Sequence, residues 1–201
     1  MNLPNKITMS RIFLSIFIIV LLLFPIDAMG IVMPKIFVNE TIVVDIKYII
    51  AGVLFIVASL TDFLDGYIAR KYNLITDFGK MIDAIADKIL VNPILIILAA
   101  SGFISPIIPV IIIARDSVVN SIKMIAGSKG QVVAAIKMGK LKTASLMIGI
   151  TLTLFYNLPF ELYNLKISDA LLIIACVLSI ISAAQYYSMN KKIIFEDSKS
   201  E

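Results

Sequence analysis

Residues 61–88 read TDFLDGYIARKYNLITDFGKMIDAIADK. Asp62, Asp65, Asp83 and Asp87 stand here at the ends of two otherwise apolar segments. On a helix, steps of three and four residues return to one face. Asp62, Asp65 and Ala69 therefore share one stripe, and Gly79, Asp83 and Asp87 share another. A short turn at KYNLITD makes the two helices antiparallel neighbours whose stripes face each other, so that four carboxylates converge on one small volume. Asp77, in the break itself, reads as a solvated loop end, whereas the period of Asp83 and Asp87 continues into the following apolar run.

The surroundings make that convergence costly. The chain has 201 residues, is 60% hydrophobic and has a mean hydropathy of +0.99, against roughly 45–50% apolar usage in soluble domains. Apolar runs long enough to span a bilayer, about 20 residues each, recur at Arg11–Met33, Tyr48–Ile68, Met81–Phe103, Pro106–Ala126, Thr143–Leu158 and Ile167–Met189. The expected fold is all-α: one polytopic membrane domain over residues 1–201 with six transmembrane helices. A short amphipathic segment, 1–10, precedes the spans and a polar tail, 190–201, follows them. FPIDAMGIVMPK is a poor cleavage site, so the first run is expected to be retained rather than removed as a signal. Lys6, Arg11, Arg70, Lys71, Lys80, Lys129, Lys137, Lys140, Lys142, Lys191, Lys192 and Lys199 fall on one side of these spans, and only Lys35, Lys47 and Lys166 on the other. The positive-inside rule then places both termini and the aspartate-rich break in the cytoplasm. The net charge of +4 belongs mostly to this face, as solvated anchoring or as an attraction for anionic lipids and phosphorylated substrates.

Exclusions narrow the chemistry. There is no histidine, which removes imidazole bases and His-ligated metals. The single cysteine, Cys176, cannot form an intrachain disulfide and reads as a small packing residue. No internal repeat and no glycine-rich phosphate loop is present. An Asp at the centre of a membrane helix costs about 2.5–3.5 kcal/mol on insertion scales, and clustered like charges oppose one another's ionisation. Divalent cations resolve both problems, because an all-oxygen donor set suits Mg²⁺, Mn²⁺ or Ca²⁺. A carboxylate-bridged pair of such ions is the usual clamp for displacement at phosphorus. Gly66, Ala69 and Gly79 leave parts of these faces bare, either for close approach of a bulky group or for ordinary helix packing. Arg70 offers a forked donor to phosphate or a cytoplasmic anchor.

The pattern D62-x-x-D65-G66-x-x-A69-R70-x8-G79-x-x-x-D83-x-x-x-D87 resembles the signature of the CDP-alcohol phosphotransferase family at every fixed position. The resemblance implies transfer of a substituted phosphate from a CDP-linked donor to an acceptor hydroxyl, with release of CMP. It implies two divalent ions, Mg²⁺ or Mn²⁺, held by Asp62, Asp65, Asp83 and Asp87, with Asp87 also the general base. Gly66, Ala69, Arg70 and Gly79, with Asp65, would line the CDP pocket. Asn5 and Thr8 are candidates for covering the nucleotide, or else cap the helix and sit at the interface.

Three further stretches, LPNKITMSRI (residues 3–12), ARD (114–116) and GKLKT (139–143), resemble the family's bacterial branch that uses glycerol 3-phosphate. Arg115, Lys140 and Lys142 would then bind the acceptor phosphate. An ion pair of Arg115 with Asp116 or with another helix, and headgroup anchoring by the two lysines, are the alternative readings. Ala84 stands where this branch often carries Pro; it is the better helix former, so the metal stripe should survive. The resemblance implies CDP-diacylglycerol and glycerol 3-phosphate as substrates, membrane lipids and a second copy of the chain as partners, no nucleic acid, and a cell-membrane location with the site facing the cytoplasm. The same chemistry with serine, inositol phosphate or phosphatidylglycerol is the nearest alternative. Divalent-cation transport is another, though it calls for acidic residues on both sides of the midplane. A purely structural membrane protein would leave the aspartates without a purpose.

Overall fold

The computed structural model describes residues 2–25, 34–38, 42–72, 74, 76–131, 133–134 and 136–195. Six helices make up most of it: α1 (Leu3–Leu23), α2 (Ile46–Lys71), α3 (Asp77–Ala100), α4 (Ile107–Ser128), α5 (Lys137–Leu154) and α6 (Ile167–Phe195), with a short 3₁₀ turn at Phe160–Tyr163. Local chemistry sets their ends. The Asn2 side chain accepts the Asn5 N–H at 3.3 Å and Pro4 occupies the first turn, where its missing N–H costs nothing. α1 stops at Leu23 because Phe24 precedes Pro25 and is driven to ψ 127°. Asp45 caps α2 through the Lys47 N–H, and Thr76 caps α3 through the Gly79 N–H, both at 3.0 Å. The segment 1–10 is thus no separate amphipathic piece; most of it forms the first turns of α1. The expected continuation of the first span through residues 26–33 and the end of the polar tail, 196–201, lie outside the described residues.

Two short strands, β1 (Lys35–Val38) and β2 (Ile42–Asp45), pair antiparallel from Lys35↔Asp45 to Val38↔Ile42. They qualify the all-α expectation. Ile42, Val43 and Val44 are β-branched and favour the extended backbone, but a strand of four residues gives too little alternation to register in a segment punctuated by charges.

α1 packs along both α2 and α3, α6 packs against α4 and α5, and the two groups join where α2 meets α5 and α3 meets α4. Direct α2–α3 packing is sparse. This corrects the expected pair of directly facing helices: α1 lies against both and supplies the surface on which their aspartates meet. Ile18, Phe55, Ile94, Leu98, Ile150, Leu154 and Leu172 form a fully buried core. A Cβ at Gly149 would lie 2.9 Å from the Leu172 side chain, so α5 and α6 approach over a bare backbone in the small-residue manner of membrane helices. Tyr48, Phe103 and Tyr156 gather their rings 4.7–5.9 Å apart, which ties the start of α2 and the ends of α3 and α5 together at one end of the bundle.

The outer faces are apolar. Phe13, Val110 and Ile173 are 68%, 66% and 57% exposed, an exterior that suits hydrocarbon rather than water. α1, residues Ile46–Ala69 and residues Ile167–Lys191 are long and apolar enough to cross a bilayer. α3, α4 and α5 fall short of that measure because they carry Asp83, Asp87 and Lys88, Arg115, Asp116 and Lys123, and Lys137, Lys140 and Lys142. α3, α4 and α5 thus carry Asp83, Asp87, Arg115, Asp116 and Lys142, while Arg11 lies on α1 and Asp62 and Asp65 lie on α2.

Candidate functional site

α1 presents a polar stripe at intervals of three residues. Asn2 Nδ2 donates to the Leu74 carbonyl at 2.9 Å, Asn5 Nδ2 to Thr76 Oγ1 at 3.5 Å, and Thr8 Oγ1 to Asp65 Oδ2 at 2.8 Å. Arg11 follows, its side chain 1% exposed. One terminal nitrogen of its guanidinium pairs with Asp62; the other lies 2.5 Å from Asp83 and 4.0 Å from Asp65. Asn5 and Thr8 are buried at 7% and 4%, so they face the interior rather than the membrane interface. Arg11, counted in the sequence as a cytoplasmic anchor, turns inward; the three-residue spacing Asn2, Asn5, Thr8, Arg11 was the signal that marked it.

The carboxylates of Asp62 and Asp65 from α2 and Asp83 from α3 each offer an oxygen within 4.8 Å of the others. Asp65 is buried while Asp62 and Asp83 stay open on one side. Three hard oxygen donors on two rigid helices, open on one side and needing countercharge strongly enough to draw a buried guanidinium, fit a divalent cation. Asp87 is not in this trio. It lies one helical turn beyond Asp83 and opens onto a different space.

Two openings border α3 at successive turns. The first is a cleft bordered by Asn5, Thr8, Asp65, Gly66, Ala69, Gly79 and Asp83, the sequence-derived donor residues almost to the last. The side chain of the remaining one, Arg70, lies outside the described residues. Gly79 is needed here for space: a Cβ would stand 2.7 Å from Asn5 Oδ1 and 3.0 Å from Thr76 Oγ1. Gly79→Ala is therefore expected to push Asn5 off its seat and raise the half-saturating concentration of a nucleotide donor several-fold, leaving that of the acceptor unchanged. Steady-state kinetics with each substrate varied in turn would check this, and an equal change in both would mean that the glycine serves only helix packing.

The second opening, about 760 Å³, is bordered by Asp87, Arg115, Asp116, Lys140, Lys142 and Tyr186 among others. Asp116 organises it. Arg115 Nη1 donates to Asp116 Oδ1 at 2.8 Å, and the Lys142 ammonium donates to both Asp116 oxygens at 3.0 Å. Arg115 is further fixed by α6, donating through Nε to the Ser179 carbonyl at 3.3 Å and through Nη2 to Ser182 Oγ at 2.6 Å, and its guanidinium lies 5.7 Å from the Tyr186 ring centroid. The expected ion pair of Arg115 with Asp116 exists, but both residues also border the cavity. Lys88 and Lys123 add two more cations to the walls. Sequence reasoning missed Lys123, Tyr186 and the two serines, because nothing in an apolar run marks which hydroxyls will face an arginine on another helix. Asp87 and Lys142 also border a smaller space together with Asp116, so the last aspartate of the series and this lysine share one location.

A family model, CDP-alcohol phosphatidyltransferase, matches residues 1–181. A Bacillus subtilis protein named CDP-diacylglycerol--glycerol-3-phosphate 3-phosphatidyltransferase is 38% identical over 189 residues, covering 94% of this chain and 95% of that protein. Proteins of the same name from Rickettsia bellii and Mycoplasma pneumoniae are 31% and 36% identical, covering 95% and 77% of this chain and 96% and 68% of theirs.

Proposed function

This chain belongs to the CDP-alcohol phosphatidyltransferase family, and on that premise we propose that it transfers the phosphatidyl group of CDP-diacylglycerol to sn-glycerol 3-phosphate, giving phosphatidylglycerophosphate and CMP. The observation that carries this reading is the position of α3. Asp83 borders the cleft and Asp87, one turn on, borders the cationic cavity, so a group held in each would meet between them.

Asn5, Thr8, Asp65, Gly66, Ala69, Arg70 and Gly79 receive the cytidine diphosphate, as the family pattern implies. Asp62, Asp65, Asp83 and Asp87 hold two divalent ions, Mg²⁺ or Mn²⁺. Such ions, when bound, neutralise the diphosphate and the charge that develops on departing CMP. Arg115, Lys140 and Lys142 bind the acceptor phosphate, with Asp116 holding Arg115 and Lys142 at a fixed separation. Asp87 takes the proton of the acceptor hydroxyl. The acceptor's oxygen forms a bond to the phosphatidyl phosphorus, and the bond from that phosphorus to the bridging oxygen breaks, leaving its electron pair on CMP. Forked and charge-assisted donors suit a phosphorylated acceptor better than serine, which carries no phosphate of its own.

The surrounding architecture follows the same reading. The chain is one membrane domain of six spans, with α3, α4 and α5 crossing alongside the three more apolar helices and shielding their charges in the bundle. Both termini and the site lie on the cytoplasmic side of the cell membrane, and the active unit is a homodimer among membrane lipids. The test is CMP release by detergent-solubilised protein given CDP-diacylglycerol and Mg²⁺ or Mn²⁺, with glycerol 3-phosphate, serine, inositol phosphate or phosphatidylglycerol supplied separately. Release with glycerol 3-phosphate alone is expected. Release with a different acceptor would keep the aspartates and discard the roles given to Arg115, Lys140 and Lys142.

A further inference from the structure

We propose that Arg11 is a tethered countercharge that competes with divalent cations for the Asp62, Asp65 and Asp83 carboxylates, so that the site takes up its ions together with an anionic donor rather than ahead of it. The inference rests on the reading of that trio as the metal site. The guanidinium is almost wholly buried and spreads its two terminal nitrogens over all three carboxylates. Oxygens turned toward a guanidinium fork are the ones an ion would need, and a dication placed among them would repel the arginine. Arg11 is also not fully satisfied where it sits: its Nε is buried and has no hydrogen-bond partner. An unpaired buried donor is costly, so the trio holds the side chain by charge rather than by a complete set of bonds, and a change in local charge is enough to release it.

Charge balance gives the direction of the coupling. The four aspartates assigned to the ions and one guanidinium leave three negative charges; two divalent ions turn these into one positive charge. A diphosphate diester supplies two negative charges. Ions alone therefore overcharge a site from which Arg11 cannot be expelled to water, because α1 is fixed by Asn2, Asn5 and Thr8 on the same stripe. The donor diphosphate in the adjoining cleft, which Thr8, Asp65 and Asp83 border, offers the displaced guanidinium a new partner. Ion and donor then strengthen each other's binding, as linkage requires.

The test is Mn²⁺ binding to purified, detergent-solubilised protein, followed through the electron paramagnetic resonance signal of free Mn²⁺. Without donor, Arg11→Met is expected to bind Mn²⁺ at least about tenfold more tightly than the unaltered protein, a difference of about 1.4 kcal/mol. Adding CDP-diacylglycerol in mixed micelles is expected to strengthen binding by the unaltered protein more than by the variant and so narrow the gap. Equal or weaker Mn²⁺ binding by Arg11→Met overturns the proposal, as does a gap that the donor leaves unchanged. Should Arg11→Met fail to fold, Arg11→Lys keeps the charge but spans fewer carboxylates, and an intermediate affinity is expected; no change from the unaltered protein overturns the proposal. Asp83→Asn separates the two readings. If it binds Mn²⁺ as well as the unaltered protein, the trio is not the metal site and both readings fall; if it loses Mn²⁺ while the Arg11 variants stay unchanged, only the role of Arg11 falls.

Discussion

Asp87→Asn is expected to lower the turnover number for CMP release by roughly 10²–10⁴-fold, the range associated with loss of a general base. The substitution keeps the shape of the side chain, and Asp87 opens to the cavity rather than closing a core contact. The protein should therefore remain inserted and folded, with an unchanged elution profile in detergent. The same variant distinguishes the two roles proposed for this residue. If Asp87 acts only on the proton, the Mn²⁺ concentration for half-maximal activity stays where it was; if it also holds an ion, that concentration rises. CMP release at the unaltered rate would remove Asp87 from the chemistry altogether.

Lys142→Ala has the second-largest expected effect and acts on the other substrate. Lys142 is 5% exposed, and its ammonium sits 3.0 Å from each oxygen of Asp116. Its removal takes one cation from the acceptor pocket and leaves Asp116 to be neutralised by Arg115 alone. Hydrogen bonds to charged groups are worth about 1.5–3 kcal/mol, which corresponds to a rise of roughly 10–100-fold in the KM for glycerol 3-phosphate. The KM for CDP-diacylglycerol should not move, because Lys142 does not border the donor cleft. Equal changes in both constants would mean that the lysine serves only to hold α4 to α5. Asp116→Asn is the companion: it releases both cations from their common partner, and a large acceptor effect there with a small one on the donor would support a pocket built as a unit.

Much of the cleft beside Asp65 and Asp83 was legible in the sequence. A period of three and four residues, set against an apolar background, identifies a face, and the faces carrying Asp62, Asp65, Ala69, Gly79 and Asp83 do meet around one opening. Gly79 was legible as a bare surface, though not as the place where Asn5 needs room. Arg115 was legible as a candidate because an ionised side chain in an apolar run is expensive and needs a reason, and Lys142 through the GKLKT stretch at the entry to the fifth run. The hairpin was not legible, since strands of four residues leave almost no periodic signal. Nor was the role of α1 between α2 and α3: two helices joined by a short turn invite the assumption of direct contact, and only the positions of helix axes reveal that a third element lies against both.

The sequence by itself determined the membrane class, the existence of six helical segments, though the first begins at Leu3 rather than Arg11, and the aspartate faces on α2 and α3, because hydropathy and helical period are local properties that survive any arrangement of the segments. The tertiary structure alone decided which partners those faces found. Asp83 joined Asp62 and Asp65 around the Arg11 guanidinium, while Asp87, on the same stripe, turned to the cavity of Arg115, Asp116 and Lys142. The physical reason is that a helix fixes the directions of its own side chains, whereas the charges they meet are set by long-range packing between segments tens of residues apart.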